Sequence, residues 1–144
     1  MSARYLLDTN LLSESRRKQP NAGVTAFLTQ TDPTLLRISV LTLGELRKGV
    51  AIKGRSDQKA AQQIESWIDG LELSFAGQIL AIDISTARLW GEWSARRPRA
   101  VVDTLLAATA SVNDLVLVTR NTTDVSDLPI QILNPWDEPG QSKH

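Results

Sequence analysis

Residues 115–119, Leu-Val-Leu-Val-Thr, form an uninterrupted run of β-prone side chains that ends in a hydroxyl. A strand with one face in water alternates apolar and polar residues, so this unbroken run is typical of a strand covered on both faces. Strands of this kind occur in parallel sheets that carry helices above and below. The segment therefore predicts an α/β protein.

Four further short apolar runs have the length of strands, and helical sequence separates them. The additional strand candidates are residues 5–7, 35–39, 79–82 and 130–133. Apolar side chains recur at helix spacing near 24–28, 43–50 and 61–71, and a stretch rich in Leu and Ala covers 101–112. Ser56-Asp57 and Ser85 are candidate helix N-caps. Because strands alternate with helices, we expect a three-layer α/β sandwich with a mostly parallel central sheet flanked by helices.

The composition limits the chemistry that the chain can perform. At 144 residues and 42% hydrophobic content, it has the size of one domain. It contains no cysteine, which excludes disulfides, thiolate metal sites and a cysteine nucleophile. Its single histidine is His144, at the very end of the chain, so a Ser-His-Asp triad or a zinc site is not expected. Neither common Gly-rich phosphate loop occurs.

The charge pattern is balanced overall and uneven locally. Sixteen basic and sixteen acidic residues give a formal net charge of zero, which offers no global support for nucleic-acid binding. Short basic clusters could line a phosphate-bearing groove or could be solvated helix ends. A carboxylate as early as Asp8 argues against a signal peptide, and no apolar run approaches a membrane span. We expect a cytoplasmic protein without a membrane partner.

Four acidic residues lie near the carboxyl ends of predicted strands or at a helix start. Asp8 follows the first strand, Glu45 lies early in the helix after the second, and Asp124 lies in the loop after Thr119. Asp103 opens a helix, although the strand before it is not obvious. In open α/β sheets ligands bind beyond the carboxyl ends of the strands. These acids are therefore the candidate site.

Carboxylates that share a cleft raise one another's pKa and oppose folding, and a divalent cation removes this penalty. Carboxylate-only ligation suits hard ions, so we expect Mg²⁺, with Mn²⁺ as a substitute. Such an ion activates water and stabilises the oxyanions of an in-line displacement at phosphorus. The predicted reaction is phosphodiester hydrolysis.

Each acid also has an ordinary structural interpretation. Asp8 could close a turn and cap a helix, and Asp124 could be a turn residue. Glu45 could pair with a basic neighbour on its own helix. Asp103 could stabilise a helix N-terminus through the dipole. Their shared placement, more than any single residue, favours a common site.

Five segments, in order along the chain, resemble the PIN domain in its VapC-like and FitB-like toxin branch. They are residues 6–14 (LLDTNLLSE), 39–49 (SVLTLGELRKG), 103–110 (DTLLAATA), 118–124 (VTRNTTD) and 133–136 (LNPW). A lone Asp-Thr-Asn is a weak signal, but the five together are specific. The resemblance covers nearly the whole chain and implies a PIN-like nuclease domain over 1–137, with a disordered tail over 138–144.

The resemblance implies a Mg²⁺-dependent ribonuclease that cleaves RNA as the toxin of a type II toxin–antitoxin system. Such toxins are usually homodimers, silenced by a small VapB-like antitoxin that inserts a segment over the active site. Carried over by position, the catalytic and metal-binding acids are Asp8, Glu45 and Asp103. The supporting polar residues are Thr9, Asn10, Thr119 and Asn121.

The chain departs from the family pattern at the last acid. Several relatives have aspartate directly after the Thr-Arg pair, where this chain has Asn121, and Val125 replaces an aromatic residue. We expect Asp124 to supply the fourth charge through water, with Asn121 orienting that water or the scissile phosphate. Asp124→Ala should then cost about 10–100-fold in rate or metal dependence, and Asp127→Ala should do little.

Two other functions stay open on sequence grounds. The first is a haloacid-dehalogenase-type phosphatase with Asp8 as nucleophile, although Asn10 occupies the place of its acid/base aspartate. The second is a non-catalytic PIN-like binding module. Trp67, Trp90 and Trp93 fall within helical segments and are expected in the core or at an interface rather than as base-stacking platforms. With four tryptophans in a small chain, we also expect a homodimer with an apolar face.

Overall fold

The computed structural model describes residues 3–137, which fold as an α/β sandwich. The strands are β1 (Tyr5–Leu7), β2 (Leu36–Ser39), β3 (Ile79–Leu80), β4 (Val116–Val118) and β5 (Ile132–Leu133). The α-helices are α1 (Thr9–Ser15), α2 (Ala22–Gln30), α3 (Val40–Lys53), α4 (Gln58–Ser74), α5 (Ile84–Arg96) and α6 (Val101–Val112). The tail expected over 138–144 lies outside the described residues.

The sheet has the strand order β3-β2-β1-β4-β5, and every neighbouring pair is parallel. The chain builds outward from β1 to β3 and then returns to place β4 on the other side of β1. The strand order therefore reverses between β1 and β4. At such a switch point the loops leave in opposite directions and open a crevice beyond the strand ends. The parallel sheet predicted from sequence is confirmed.

Two hydrophobic cores fill the two faces of the sheet. Leu6 and Leu117 face one core, to which α5 and α6 contribute Trp93 and Leu106. The alternate strand residues Leu7 and Val118 face the other, formed with α1 to α4. Successive strand side chains point to opposite faces, so a strand buried on both sides must be apolar throughout. This burial explains the unbroken run at 115–119 and confirms the three layers.

Helix starts agree with the sequence in one case and not in another. Asp57 caps α4, as expected, by accepting a hydrogen bond from the amide of Ala60. The cap of α5 is Asp83, whose carboxylate accepts from the amide of Thr86, and the expected cap Ser85 lies inside the helix. Aspartate and serine are comparable N-caps, so the sequence alone did not rank them. Between residues 3 and 137, none of the helices has both the length and the apolar character needed to cross a bilayer.

Candidate active site

Asp8 lies at the switch point between β1 and β4. Its amide donates to the carbonyl of Val118 at 3.0 Å, which continues the pairing of the two strands by one residue. Oδ2 of its carboxylate accepts from the hydroxyl of Thr119 at 2.7 Å. Both side chains are buried. Burial raises the pKa of Asp8, and the hydrogen bond from Thr119 opposes that rise.

Asn121 connects three of the predicted site residues. Its backbone amide donates to Oγ1 of Thr119 at 3.0 Å. Its side-chain Nδ2 donates to Oδ2 of Asp103 at 3.0 Å and to Oδ2 of Asp124 at 2.8 Å. An amide nitrogen carries two protons, so both bonds form at once. The loop after β4 therefore holds Asp103 and Asp124 together through one neutral side chain.

The pKa of Asp103 is shifted by the charges of the other three acids. The residue lies in the first turn of α6, half-buried. Its pKa is raised first by burial and then by the negative charges of Asp8, Asp124 and Glu45. No basic side chain is among the groups that shift the pKa of Asp8 or Asp103. The four predicted acids thus share one region, which we call the acid cluster, and their charges repel one another there.

Glu45 joins the acid cluster from α3 through a threonine pair. Its Oε1 accepts from the hydroxyl of Thr9 at 2.6 Å, and Oγ1 of Thr9 lies 3.1 Å from Oγ1 of the buried Thr42. The sequence left open an ion pair between Glu45 and a basic neighbour on its own helix. Arg47 does not form that pair, because its guanidinium binds Asp69 and Glu72 on α4. Thr42 was not singled out from sequence. Its position three residues before Glu45, on the same helix face, is the available signal.

The crevice between β4 and α6 offers oxygen ligands in a small space. A cavity of about 10 Å³, room for about one water-sized sphere, is lined by Asp8, Asp103, Thr119 and Asn121 and closed by the apolar side chains of Leu106, Leu117 and Val125. No three acidic side chains within residues 3–137 are preassembled into a metal cage. Mg²⁺ does not need such a cage, since it is held by one or two carboxylates and keeps several waters. The acid cluster offers only oxygen atoms as metal ligands, and no basic group offsets the repulsion between its carboxylates. Both features fit a divalent cation.

Two residues near the acid cluster point elsewhere. Asn10, expected to support the acids, is exposed on α1 and lines a separate cleft with Arg17, Arg120 and Trp136. Asp127 is bound by Arg97 and Arg99, at 3.1 and 2.7 Å. These arginines hold the pKa of Asp127 far below its usual range. Asp124, and not Asp127, is therefore the acid that this loop contributes to the cluster.

Comparisons with known proteins decide the family. The family model described as the PIN domain matches residues 5–128. This chain belongs to the PIN domain family. A match of that length includes all four acids of the cluster. It also includes Asn121, at the position where this chain departs from the expected aspartate.

Individual PIN proteins match over nearly their whole length. Toxin FitB of Neisseria gonorrhoeae is 33% identical over 140 residues, 92% of this chain and 99% of that protein. VapC ribonuclease Y4jK of Sinorhizobium fredii is 28% identical, covering 92% and 97%.

Solved structures of related proteins agree. The crystal structure of FitAcB from Neisseria gonorrhoeae matches with a TM-score of 0.84 at 31% identity, covering 93% of this chain and 99% of that one. A toxin–antitoxin complex from Klebsiella pneumoniae matches with a TM-score of 0.63 at 26% identity, covering 95% and 100%.

Proposed function

We propose that this PIN domain is a divalent-metal-dependent ribonuclease that acts as the toxin of a type II toxin–antitoxin pair. One observation supports the proposal above all others: buried Asp8 and half-buried Asp103 lie together at the sheet's switch point, where burial and neighbouring carboxylates raise the pKa of Asp103. A cluster of repelling acids is costly to fold and is retained where it binds a cation. The relatives named as a toxin and as a ribonuclease point to the same activity.

Asp8 and Asp103 are the residues that would hold the metal, with Glu45 and Asp124 contributing charge from the rim. When bound, Mg²⁺ or Mn²⁺ supplies an activated water and stabilises charge on the phosphoryl oxygens. The ion also offsets the repulsion between the acid cluster and a phosphodiester.

The neutral polar residues position the acids. The hydroxyl of Thr119 fixes one oxygen of Asp8, and the amide of Asn121 fixes one oxygen each of Asp103 and Asp124. Thr9 orients Glu45. These hydrogen bonds restrain the carboxylates before substrate arrives, which lowers the entropic cost of organising the site.

The deciding experiment is cleavage of RNA by purified protein, free of any partner, with Mg²⁺, with Mn²⁺ and with EDTA. We expect cleavage with either metal and none in EDTA. Asp8→Asn and Asp103→Asn should each remove most activity, while Glu65→Gln, an exposed acid on α4, should behave as wild type. Cleavage in EDTA, or full activity of Asp8→Asn, would exclude this mechanism. Growth arrest on expression, relieved by the same two substitutions, is the cellular counterpart.

The alternatives make different predictions. A phosphatase of the haloacid-dehalogenase type needs an acid/base near Asp8, but the structure places Asn10 in the separate cleft. A non-catalytic binding module would bind RNA or protein without metal-dependent cleavage. We further propose a VapB-like antitoxin as partner, supported by the similarity to a toxin–antitoxin complex. It should inhibit cleavage when added in equimolar amount.

A further inference from the structure

A cleft beside the acid cluster carries arginines that the proposed chemistry does not use. It has a volume of about 370 Å³ and is lined by Asn10, Ser13, Glu14, Arg17, Arg120 and Trp136. Asn10 lies two residues after Asp8, and Arg120 lies between Thr119 and Asn121, so the cleft is adjacent to the cluster along the chain. We call it the Arg120 cleft.

Arg120 is held in place without using its hydrogen-bonding groups. Its guanidinium lies 5.5 Å from the ring centroid of Trp136, which is buried in the core. Among residues 3–137 the guanidinium has no hydrogen-bond or ion-pair partner, and the side chain is exposed. Stacking on an aromatic ring restrains a guanidinium while its planar N–H groups stay free for an anion. Arg120 is therefore preorganised to bind a phosphate.

The remaining charges of the cleft leave it positive. Glu14 is buried, accepts from the amide of Asn21 at 2.8 Å, and pairs with Arg17 at 3.3 Å. The bond from Asn21, followed by the contact with Arg17 and the more distant charge of Arg120, lowers the pKa of Glu14, so this carboxylate stays ionised. Two arginines, Arg17 and Arg120, line the cleft with the single negative charge of Glu14. The cleft thus carries a net positive charge directly beside the negative acid cluster.

A phosphodiester chain that enters the acid cluster brings negative charge into a negative region. A neighbouring positive subsite offsets that repulsion and fixes the register of the strand without reading bases. We propose that the Arg120 cleft binds a backbone phosphate of the RNA next to the scissile one, with Arg120 as the principal contact and Arg17 as a weaker one. This proposal rests on the proposed ribonuclease function.

The test is RNA binding in EDTA, where the proposed nuclease does not cut, using a short fluorescein-labelled oligoribonucleotide and anisotropy. Arg120→Gln should weaken binding about 2- to 5-fold, as expected for one exposed charge contact. It should also reduce the slope of log K against log salt by about 0.7, the value for one phosphate on a single strand. Arg120→Lys, which keeps the charge without the planar fork, should fall between Arg120→Gln and wild type.

Arg55→Gln is the matched control. Arg55 is exposed beyond the end of α3, about 20 Å along that helix from the edge of the sheet where the acids lie. The substitution removes the same charge and should leave both the affinity and the salt slope unchanged. Thermal unfolding of each variant checks that the Trp136 region is intact.

Steady-state cleavage separates binding from positioning. With Mg²⁺, Arg120→Gln should raise KM about 2- to 5-fold and leave kcat near wild type. Unchanged affinity in EDTA, or a lower kcat with unchanged KM, would overturn the inference, because Arg120 would then only support Thr119 and Asn121. Wild type that does not bind RNA would overturn it too. If wild-type protein binds RNA but does not cleave it with Mg²⁺, the proposed ribonuclease function is wrong. The comparison of Arg120→Gln with wild type in EDTA still tests whether the Arg120 cleft binds a phosphate.

Discussion

Asp8 is the most deeply buried of the four acids, and burial is unfavourable for its negative charge. Its raised pKa means that the folded protein holds a proton that the unfolded chain has already released at pH values above 3.8. The free energy of unfolding therefore falls as pH rises from about 3.8 to the folded pKa, and stays lower above it. At neutral pH, without metal, ionised Asp8 destabilises the fold.

Replacing Asp8 should consequently stabilise the metal-free protein. We expect Asp8→Asn to raise the midpoint of thermal unfolding at pH 7 by roughly 2–6 °C, about 1 kcal/mol for a domain of this size, and to have little effect below pH 3.8. Asparagine retains an oxygen for the hydroxyl of Thr119. Mg²⁺ should raise the midpoint of wild type more than that of Asp8→Asn, because a ligand stabilises only the state that binds it. An Asp8→Asn protein that melts earlier at pH 7 would contradict the interpretation of Asp8 as an uncompensated charge.

Asp124 and Asp127 are three residues apart and have opposite surroundings. Asp124 accepts from Asn121, whereas Asp127 is bound by two arginines. Asp124→Ala should lower the cleavage rate or raise the Mg²⁺ requirement by about 10–100-fold, the usual effect of a group that acts on a metal through an intermediary. Asp127→Ala should keep most of the activity. Metal titrations of the cleavage rate measure both, and the reverse ranking would show that the loop is arranged differently when RNA binds.

Asp127 also has a structural role that the sequence did not indicate. The side chain of Arg99 is 3% exposed, donates through Nε to the carbonyl of Trp93, and reaches Asp127 with its terminal nitrogens. This arrangement ties the end of the loop after β4 to α5. Asp127→Ala leaves the guanidinium of a buried side chain without its anion, so the variant should unfold at a lower temperature even where it is active.

The start of α5 allows a matched test of two adjacent candidates. Asp83 accepts from the amide of Thr86, and this hydrogen bond holds its pKa below the usual range. Its stabilising effect is therefore present at neutral pH and lost as pH falls through the folded pKa. Asp83→Ala should lower the thermal midpoint at pH 7, and Ser85→Ala should not. Equal midpoints for the two variants would mean that the cap is not formed in solution.

Sequence patterns predicted the elements well because burial on both faces dictates apolar composition. The run at 115–119 and the helix stripe over 61–71 are direct consequences of where the layers meet. The site was harder, because its geometry depends on bonds between distant residues. Thr9 meets Glu45 across 36 positions, and Asn121 meets Asp103 across 18. The placement of Asn10 in the Arg120 cleft likewise follows from the rotation of α1, which a polar tripeptide does not encode.

The topology of the sheet brings residues that are distant in the sequence together into one site. The strand order reverses between β1 and β4, so Asp8 and Thr119, 111 positions apart, become hydrogen-bonded neighbours. Helices α3 and α6 deliver Glu45 and Asp103 toward the same crevice. A chain with zero net charge thereby contains a strongly negative cluster and a positive cleft side by side. The net charge of a chain does not indicate whether it binds nucleic acid when opposite charges are separated into two neighbouring regions.

The structure changes the basis of the homodimer prediction. Trp93 and Trp136 are buried, so these two tryptophans need no partner surface. Within residues 3–137 the most exposed large apolar side chains are instead Leu73, at 79%, and Ile84, at 71%. They lie on either side of β3 in the chain, and β3 is a two-residue strand at the edge of the sheet. A second copy of the chain over this edge would cover both side chains and the open strand.

We therefore expect wild-type protein to sediment as a dimer at micromolar concentration. Ile84→Glu should weaken association by about 10-fold or more, because a carboxylate would be buried at the interface without a partner. Ile52→Glu is the control, since Ile52 is 50% exposed near the far end of α3, away from β3. It should leave the dimer intact. Sedimentation equilibrium on the three proteins distinguishes the outcomes. A monomeric wild type would contradict the dimer, whereas loss of the dimer in Ile52→Glu alone would place the interface on α3. Because the acid cluster and the Arg120 cleft are both formed by residues of one chain, we expect the Ile84→Glu monomer still to bind RNA in EDTA, so association and substrate binding can be measured independently.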